Sequence, residues 1–256
     1  MNCKICNNQT HQIFNAQILH KYTVTYFKCK NCGFIQTENP YWLDEAYKEP
    51  NNISDTGYLL RNVSLSHKLI ILLALFFNRK GSFLDYAAGY GVFVRLMRDA
   101  GFNFFWDDKY TENIFAKGFD YDKNDTIEAV TTFESFEHFV NPLQEIEKIL
   151  AISRNIIFST ELLPEDVPSP DKWWYYCFEH GQHISFYSKK TLKLIAARYA
   201  LRVFSLGSLH IFTNKNNLSY IKLQIARLSE VGLHQIIKKL LLKSKTWDDY
   251  CKNSIL

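Results

Sequence analysis

Two cysteine pairs, Cys3 with Cys6 and Cys29 with Cys32, each enclose two residues. Thiolates are soft metal ligands, and a CxxC knuckle presents two sulfurs to one ion, so two knuckles complete the tetrahedral coordination of zinc. Polar, turn-prone residues bracket each pair: Lys4, Asn7 and Asn8 at the first, Lys30, Asn31 and Gly33 at the second. The expectation is one structural zinc ion held by Cys3, Cys6, Cys29 and Cys32. Cys177 has no basic neighbour or second thiol to activate it, so nucleophilic chemistry is not expected there.

A second constellation surrounds a glycine turn. The run Phe83-Leu84-Asp85-Tyr86-Ala87-Ala88-Gly89-Tyr90-Gly91 reads as an apolar strand closed by an acid, turning into a helix that begins near Val92. Glycine lets backbone approach a ligand closely, and the helix start offers free N–H groups. Asp108 ends the next strand 23 positions after Asp85, close to the offset of about 20 at which an acid meets ribose hydroxyls in dinucleotide folds. A ribose-bearing cofactor is therefore expected. A nicotinamide dinucleotide is disfavoured, because Val94 stands where GxGxxG needs its third glycine.

The third group could move a proton. Glu137 and His138 follow a predicted strand, and a later aromatic loop, Trp173-Trp174-Tyr175-Tyr176-Cys177-Phe178-Glu179-His180-Gly181-Gln182-His183, carries two more histidines. Neutral imidazole, with an unperturbed pKa near ~6.5, suits removal of a hydroxyl proton. Trp174, Tyr176, His180 and His183 form a candidate substrate surface, since aromatic faces with polar tips suit sugar rings or bases. The competing reading is a loop that caps the core, with His183 holding its shape.

These residues need elements to position them. With 256 residues, 47% of them hydrophobic and 16% aromatic, the chain can bury one substantial core and a small appendage. Strands at 82–86, 103–108, 127–133, 154–160, 201–206 and 208–213 alternate with helices at 92–100, 111–117, 141–152 and 189–199. That alternation predicts an α/β fold with a doubly wound, mostly parallel sheet. Four segments follow: a zinc-binding module at 1–40, a linker and helical lid at 41–80, a cofactor-binding domain at 81–215 and a helical extension at 216–256. Pro50, Asn51, Asn52 and Gly57 mark the linker, and Tyr58 to Asn78 reads as helix. The longest apolar run, Leu69 to Phe77, falls short of the roughly 20 residues a bilayer span requires, so no span is predicted. Cysteines in metal spacing, without a leader pattern, suit a cytoplasmic protein.

The quoted motifs together resemble those of the class I S-adenosylmethionine-dependent methyltransferases over residues 58 to 213. Asp85 to Gly91 is similar to their first motif, with Ala87 in place of its first glycine. Phe104-Phe105-Trp106-Asp107-Asp108 is similar to their second, and Phe133-Glu134-Ser135-Phe136-Glu137-His138-Phe139-Val140-Asn141-Pro142 to the segment closing their fourth strand. The resemblance implies a Rossmann-like sheet of seven strands, the last antiparallel. It also implies S-adenosylmethionine held by Asp85, Ala87, Gly89, Gly91, Asp108 and Phe133. The cysteine module and the stretch Gly181-Gln182-His183-Ile184-Ser185-Phe186-Tyr187-Ser188 resemble bacterial enzymes that methylate sugars of surface polysaccharides. In that subgroup the Glu-His pair serves acid–base chemistry, which implies catalytic roles for His138 with Glu137 and a part for His180.

The leading functional expectation is O-methylation of a nucleotide sugar or glycan precursor, with C-methylation of a keto sugar differing only in the base it needs. An RNA-directed methyltransferase clamped by the zinc ribbon is disfavoured by a net charge of only +4 and few basic residues near the cysteines. A non-catalytic binding protein of the same fold is the third alternative.

Overall fold

The structure, a computed structural model, describes residues 1–48 and 55–254. Pro50, Asn51 and Asn52 of the expected linker lie outside them. The chain divides into two compact units, one made of Met1–Asn52, Phe133–Ala151 and Phe158–Asn214, the other of Ile53–Thr132, Ile152–Ile157 and Lys215–Leu256.

In the first unit, β1 (Thr10–Ile18) and β2 (Tyr22–Cys29) form an antiparallel hairpin, and β3 (Ile35–Thr37) pairs with β2. Leu19 and His20 at the hairpin tip both have positive φ, 53° and 54°, the backbone a tight primed turn requires. The fourth strand of this sheet is the two-residue β8 (Ser185–Phe186), paired antiparallel with β3. Ile18, Val24, Tyr26, Ile35 and Trp42 share one buried core with Leu163, Tyr175, Tyr176, Ile184 and Phe186. The amino-terminal segment thus buries its apolar face against the aromatic loop. A ribbon this small has too little core to stand alone.

The second unit contains the parallel strands β4 (Ser82–Tyr86), β5 (Asn103–Asp107) and most of β6 (Ile127–Phe133). Helix α2 (Tyr58–Phe76) is long and apolar enough to cross a membrane by length and composition, yet Leu65, Leu69 and Ile70 to Ala74 are buried, and it contacts other helices of this unit. Helix α3 (Val92–Ala100) stops at Gly101, whose φ of 114° and N–H bonds to the Met97 and Arg98 carbonyls make a left-handed C-terminal cap. In chain order the other elements are α1 (Leu43–Ala46), α4 (Pro142–Ile152), β7 (Ile156–Ser159), α5 (Lys189–Arg198), β9 (Arg202–Leu206), β10 (Leu209–Thr213), α6 (Tyr220–Leu223), α7 (Leu233–Leu241) and α8 (Thr246–Asn253).

The main sheet runs β5-β4-β6-β7-β10-β9, with β9 and β10 antiparallel. Among the described residues it has six strands where seven were expected. At the β5 edge the missing strand is reduced to one parallel bridge between Trp106 and Asp120. The helix expected at 111–117 is also absent. Asn113 explains both differences: its side chain accepts from the Ala116 amide and donates to the Ala116 carbonyl and to Asp120, offering the backbone a loop instead of a helix or ladder.

Candidate functional site

Four sulfurs converge at the amino terminus. The Sγ separations are 3.6 Å for Cys3–Cys32, 3.4 Å for Cys6–Cys29 and 3.7 Å for Cys6–Cys32. A tetrahedral zinc with bonds of about 2.3 Å sets its sulfurs roughly 3.8 Å apart, so these donors fit that ion. Backbone N–H groups of Ile5 and Cys32 point at the Cys3 and Cys29 sulfurs, each at 3.4 Å. The Cys32 carbonyl accepts from the hydroxyls of Ser188 and Thr191 at 2.8 and 2.9 Å, and Ser188 also caps α5. Two hydroxyls at the start of a distant helix therefore hold the second knuckle.

The glycine turn lies in the second unit. Ala87, Gly89 and Gly91 have φ of 58°, 54° and 84°. A left-handed backbone costs a non-glycine residue about 1–2 kcal/mol, so Ala87 carries local strain of the kind that gathers at functional sites. A Cβ on Gly91 would lie 3.0 Å from the Ala116 side chain and 3.1 Å from Asn113 Oδ1, so this glycine admits the 113–116 loop as well as starting α3. Asp85 is buried and accepts from Thr131 Oγ1 at 2.6 Å. Burial pushes its carboxyl up to about 7; the Thr131 hydrogen bond opposes the rise and Asp108 adds to it.

Asp108 does more than end a strand. Its Oδ2 accepts the Gly89 amide at 2.9 Å, and its Oδ1 accepts the amides of Tyr110 and Thr111 at 2.7 and 2.9 Å. β5 itself ends at Asp107, a half-buried acid whose carboxyl is raised by burial and by Asp108. Trp106 Nε1 donates to the Gly89 carbonyl at 2.7 Å, fixing the turn from the other side. Tyr58 was missed in the sequence: its hydroxyl lies 3.0 Å from where a Gly89 Cβ would sit. Nothing in the local pattern around Tyr58 signals that approach.

In the first unit, Glu137 and His138 lie on a short 3-10 turn, Phe136–His138, beyond the half-buried Phe133 that closes β6. The Ile184 amide donates to the Glu137 carbonyl at 2.9 Å, Ser185 Oγ to the Phe139 carbonyl at 2.8 Å, and the Tyr187 hydroxyl to the Phe136 carbonyl at 2.9 Å. These bonds fasten the turn to the far end of the aromatic loop and bring His183 to His138, with ring centroids 5.0 Å apart and near-perpendicular planes. His183 Nδ1 meets the Tyr175 carbonyl at 2.7 Å, and His138 Nδ1 meets the Tyr47 hydroxyl at 2.9 Å. Burial, then His183 and His180, hold His138 well below its ordinary pKa. Glu137 is fully buried, and burial, with Glu134 nearby, pushes its carboxyl up to about 8.

Of the expected substrate surface, Trp174 is 73% exposed and available to a ring, whereas Tyr176 is 1% exposed. The Tyr176 hydroxyl is spent on the Pro168 carbonyl and its ring stacks on Phe178. Tyr176 is therefore a core residue, a correction to the sequence reading. Alternating aromatics in a loop give no period from which to read which ring turns inward. His180 is half-buried in the same loop and lowers the His138 pKa.

A family model described as a methyltransferase domain matches residues 60–206, and the chain belongs to that family. The class so defined is that of the S-adenosylmethionine-dependent methyltransferases, with a Rossmann-like, mostly parallel sheet. Similar solved structures include CalO1, a methyltransferase in calicheamicin biosynthesis in its SAH-bound form, at 13% identity and TM-score 0.41, covering 65% of this chain and 59% of that one. The mitomycin 7-O-methyltransferase MmcR is similar at 12% identity and TM-score 0.41, covering 67% and 59%. Magnesium protoporphyrin IX methyltransferase from Synechocystis is similar at 13% identity and TM-score 0.43, covering 69% and 98%. This chain thus spans about three-fifths of the length of CalO1 and MmcR. A search of curated proteins finds no match.

Proposed function

We propose that the protein transfers a methyl group from S-adenosylmethionine to a hydroxyl of a sugar, either a nucleotide sugar or a glycan precursor. The observation that carries the donor half is the left-handed turn from Ala87 to Gly91, tied to Asp108 and opening α3. The helix start that it opens and its flanking acids suit an adenosine-bearing donor. Asp85, Ala87, Gly89, Gly91 and Phe133 are assigned to the cofactor with Asp107 and Asp108.

The sulfonium is already an activated donor, so the protein's task is alignment and removal of one proton. As the acceptor oxygen bonds to the methyl carbon, the C–S bond breaks and its electron pair returns to sulfur. Removal of the hydroxyl proton falls to the cluster of Glu137, His138 and His183. Trp174 and His180 are assigned to the acceptor, because an exposed indole face suits a sugar ring. Zinc on Cys3, Cys6, Cys29 and Cys32 is a structural part of this reading, supported by sulfur spacings of 3.4–3.7 Å. A reducing, cytoplasmic setting belongs to the same reading, since cysteines in metal spacing in such a chain suit it.

The test is incubation of the purified protein with donor labelled in the methyl group and a panel of nucleotide sugars. Label transferred to a sugar oxygen is the expected result. Label on carbon would convert the reading to C-methylation, and label taken only by RNA would overturn the sugar assignment.

A further inference from the structure

Glu137 poses a problem that acid–base chemistry leaves open. It is 0% exposed, and neither carboxylate oxygen makes a close hydrogen bond, the Tyr175 and Thr160 hydroxyls lying near enough only to offset part of the effect of burial. A buried carboxyl in that state is costly unless a charge or a donor meets it. What gathers beside it is a pair of imidazoles: one ligand atom each from Glu137, His138 and His183 lies within 4.8 Å of the other two.

We propose that Glu137, His138 and His183 form a second metal site, for a divalent first-row ion such as zinc, cobalt or manganese. Two imidazoles and a carboxylate are a common donor set for such ions, and three protein ligands leave coordination positions open. The second shell is also built. His183 Nδ1 at 2.7 Å from the Tyr175 carbonyl must carry its hydrogen, which leaves the Nε2 lone pair for the ion. His138 Nδ1 meets the Tyr47 hydroxyl at 2.9 Å, and donation from Nδ1 likewise leaves Nε2 as the ligand. The Ile184, Ser185 and Tyr187 hydrogen bonds hold the 3-10 turn against the segment that carries His183. Bonds of about 2.0–2.2 Å would draw the three ligand atoms to roughly 3.3 Å apart, a contraction of up to about 1.5 Å within reach of side-chain rotation. The ion supplies the positive charge that the buried carboxylate lacks.

The role of this ion rests on the proposed methyl-transfer reading: an open position would take the acceptor hydroxyl and make its proton easier to lose to solvent water, so that the cluster would remove the proton through the ion rather than by taking it up itself. His138 then acts as a ligand, and the Cys3-Cys6-Cys29-Cys32 site remains structural.

The experiment is titration of the zinc-loaded full chain with Co²⁺, without donor or acceptor. One equivalent should bind with weak visible d–d bands and no thiolate charge-transfer band, and metal analysis after dialysis should return two metals per chain. His183→Ala and Glu137→Gln should each weaken Co²⁺ binding at least tenfold. Unchanged donor affinity would show that the variants are folded, and half-buried His183 carries the test if Glu137→Gln fails to fold. No Co²⁺ bound beyond the cysteine site, or equal affinity in a folded His183→Ala, overturns the proposal. That result would leave the methyl-transfer reading standing, whereas a bound second ion without label transfer to any sugar would overturn the acceptor reading alone.

Discussion

Asp108 and Gly89, 19 residues apart, are joined by a 2.9 Å hydrogen bond from the glycine amide to the aspartate carboxylate. The acid that sequence offset assigns to the cofactor is thus also a strut of the glycine turn, and its other oxygen caps the amides of Tyr110 and Thr111.

Removing that strut should cost cofactor binding through the loop. Charge-assisted hydrogen bonds are worth about 1.5–3 kcal/mol each, so Asp108→Ala should weaken S-adenosylmethionine at least tenfold. Asp107→Asn should weaken it too while leaving thermal stability nearly unchanged, because Asp107 rather than Asp108 is spared loop duties. Calorimetric titration reads both, and unchanged affinity in Asp108→Ala would remove it from the donor site.

Asp85 makes stability depend on pH in an unusual direction. Its carboxyl is raised by burial to about 7, against about 3.9 in an unfolded chain, so the folded state holds more protons between those values. This group's contribution is therefore full at about pH 4, falls as pH rises toward 7, and is flat above. Asp85→Asn, whose amide oxygen can still accept from Thr131, should be more stable than the parent by a few kcal/mol at pH 8 and by little at pH 4.5. Denaturant melts at both pH values check it; an equal gap at both would mean that Asp85 does not titrate in this range.

Arg98 is 4% exposed and pairs with Asp249 through two hydrogen bonds of 2.8 and 2.6 Å, with its guanidinium 3.5 Å over the Phe119 ring centroid. Burial pushes the Asp249 carboxyl up, but Arg98 and Arg95 outweigh it and hold it below its ordinary value. Asp249→Ala would leave a buried cation unpaired and should destabilise the protein by about 3–5 kcal/mol in urea. A loss under about 1 kcal/mol would show that water reaches Arg98.

The histidines separate by kinetics. His138→Ala should lower kcat by about 10²–10⁴ with donor affinity nearly intact, whereas His180→Ala should chiefly raise the acceptor KM. The reverse pattern would transfer the proton-handling role to the aromatic loop.

Metal content tests the knuckles. Cys29→Ser should lower zinc by one equivalent and destabilise the β1–β2 hairpin, since the chain beside Cys32 is otherwise held by the Ser188 and Thr191 hydroxyls. Equal zinc in both proteins would sink the assignment.

Local order was legible from sequence wherever a short period or a turn residue dictates it. The helix expected at 92–100 and the strands expected at 82–86 and 127–133 are found with those bounds. The paired cysteines announce their sulfur tetrahedron through spacing alone. Tertiary structure alone decided what distant segments do to each other. His138 and His183 meet across 45 positions because β8 and its neighbours hydrogen-bond to the 136–139 turn. Arg98 finds Asp249 across 151 positions, and Tyr176 turns inward while Trp174 faces solvent. Periodicity reports which face of one element is apolar; it carries no information on which distant face, donor or charge will cover it, and that is settled only when the core closes.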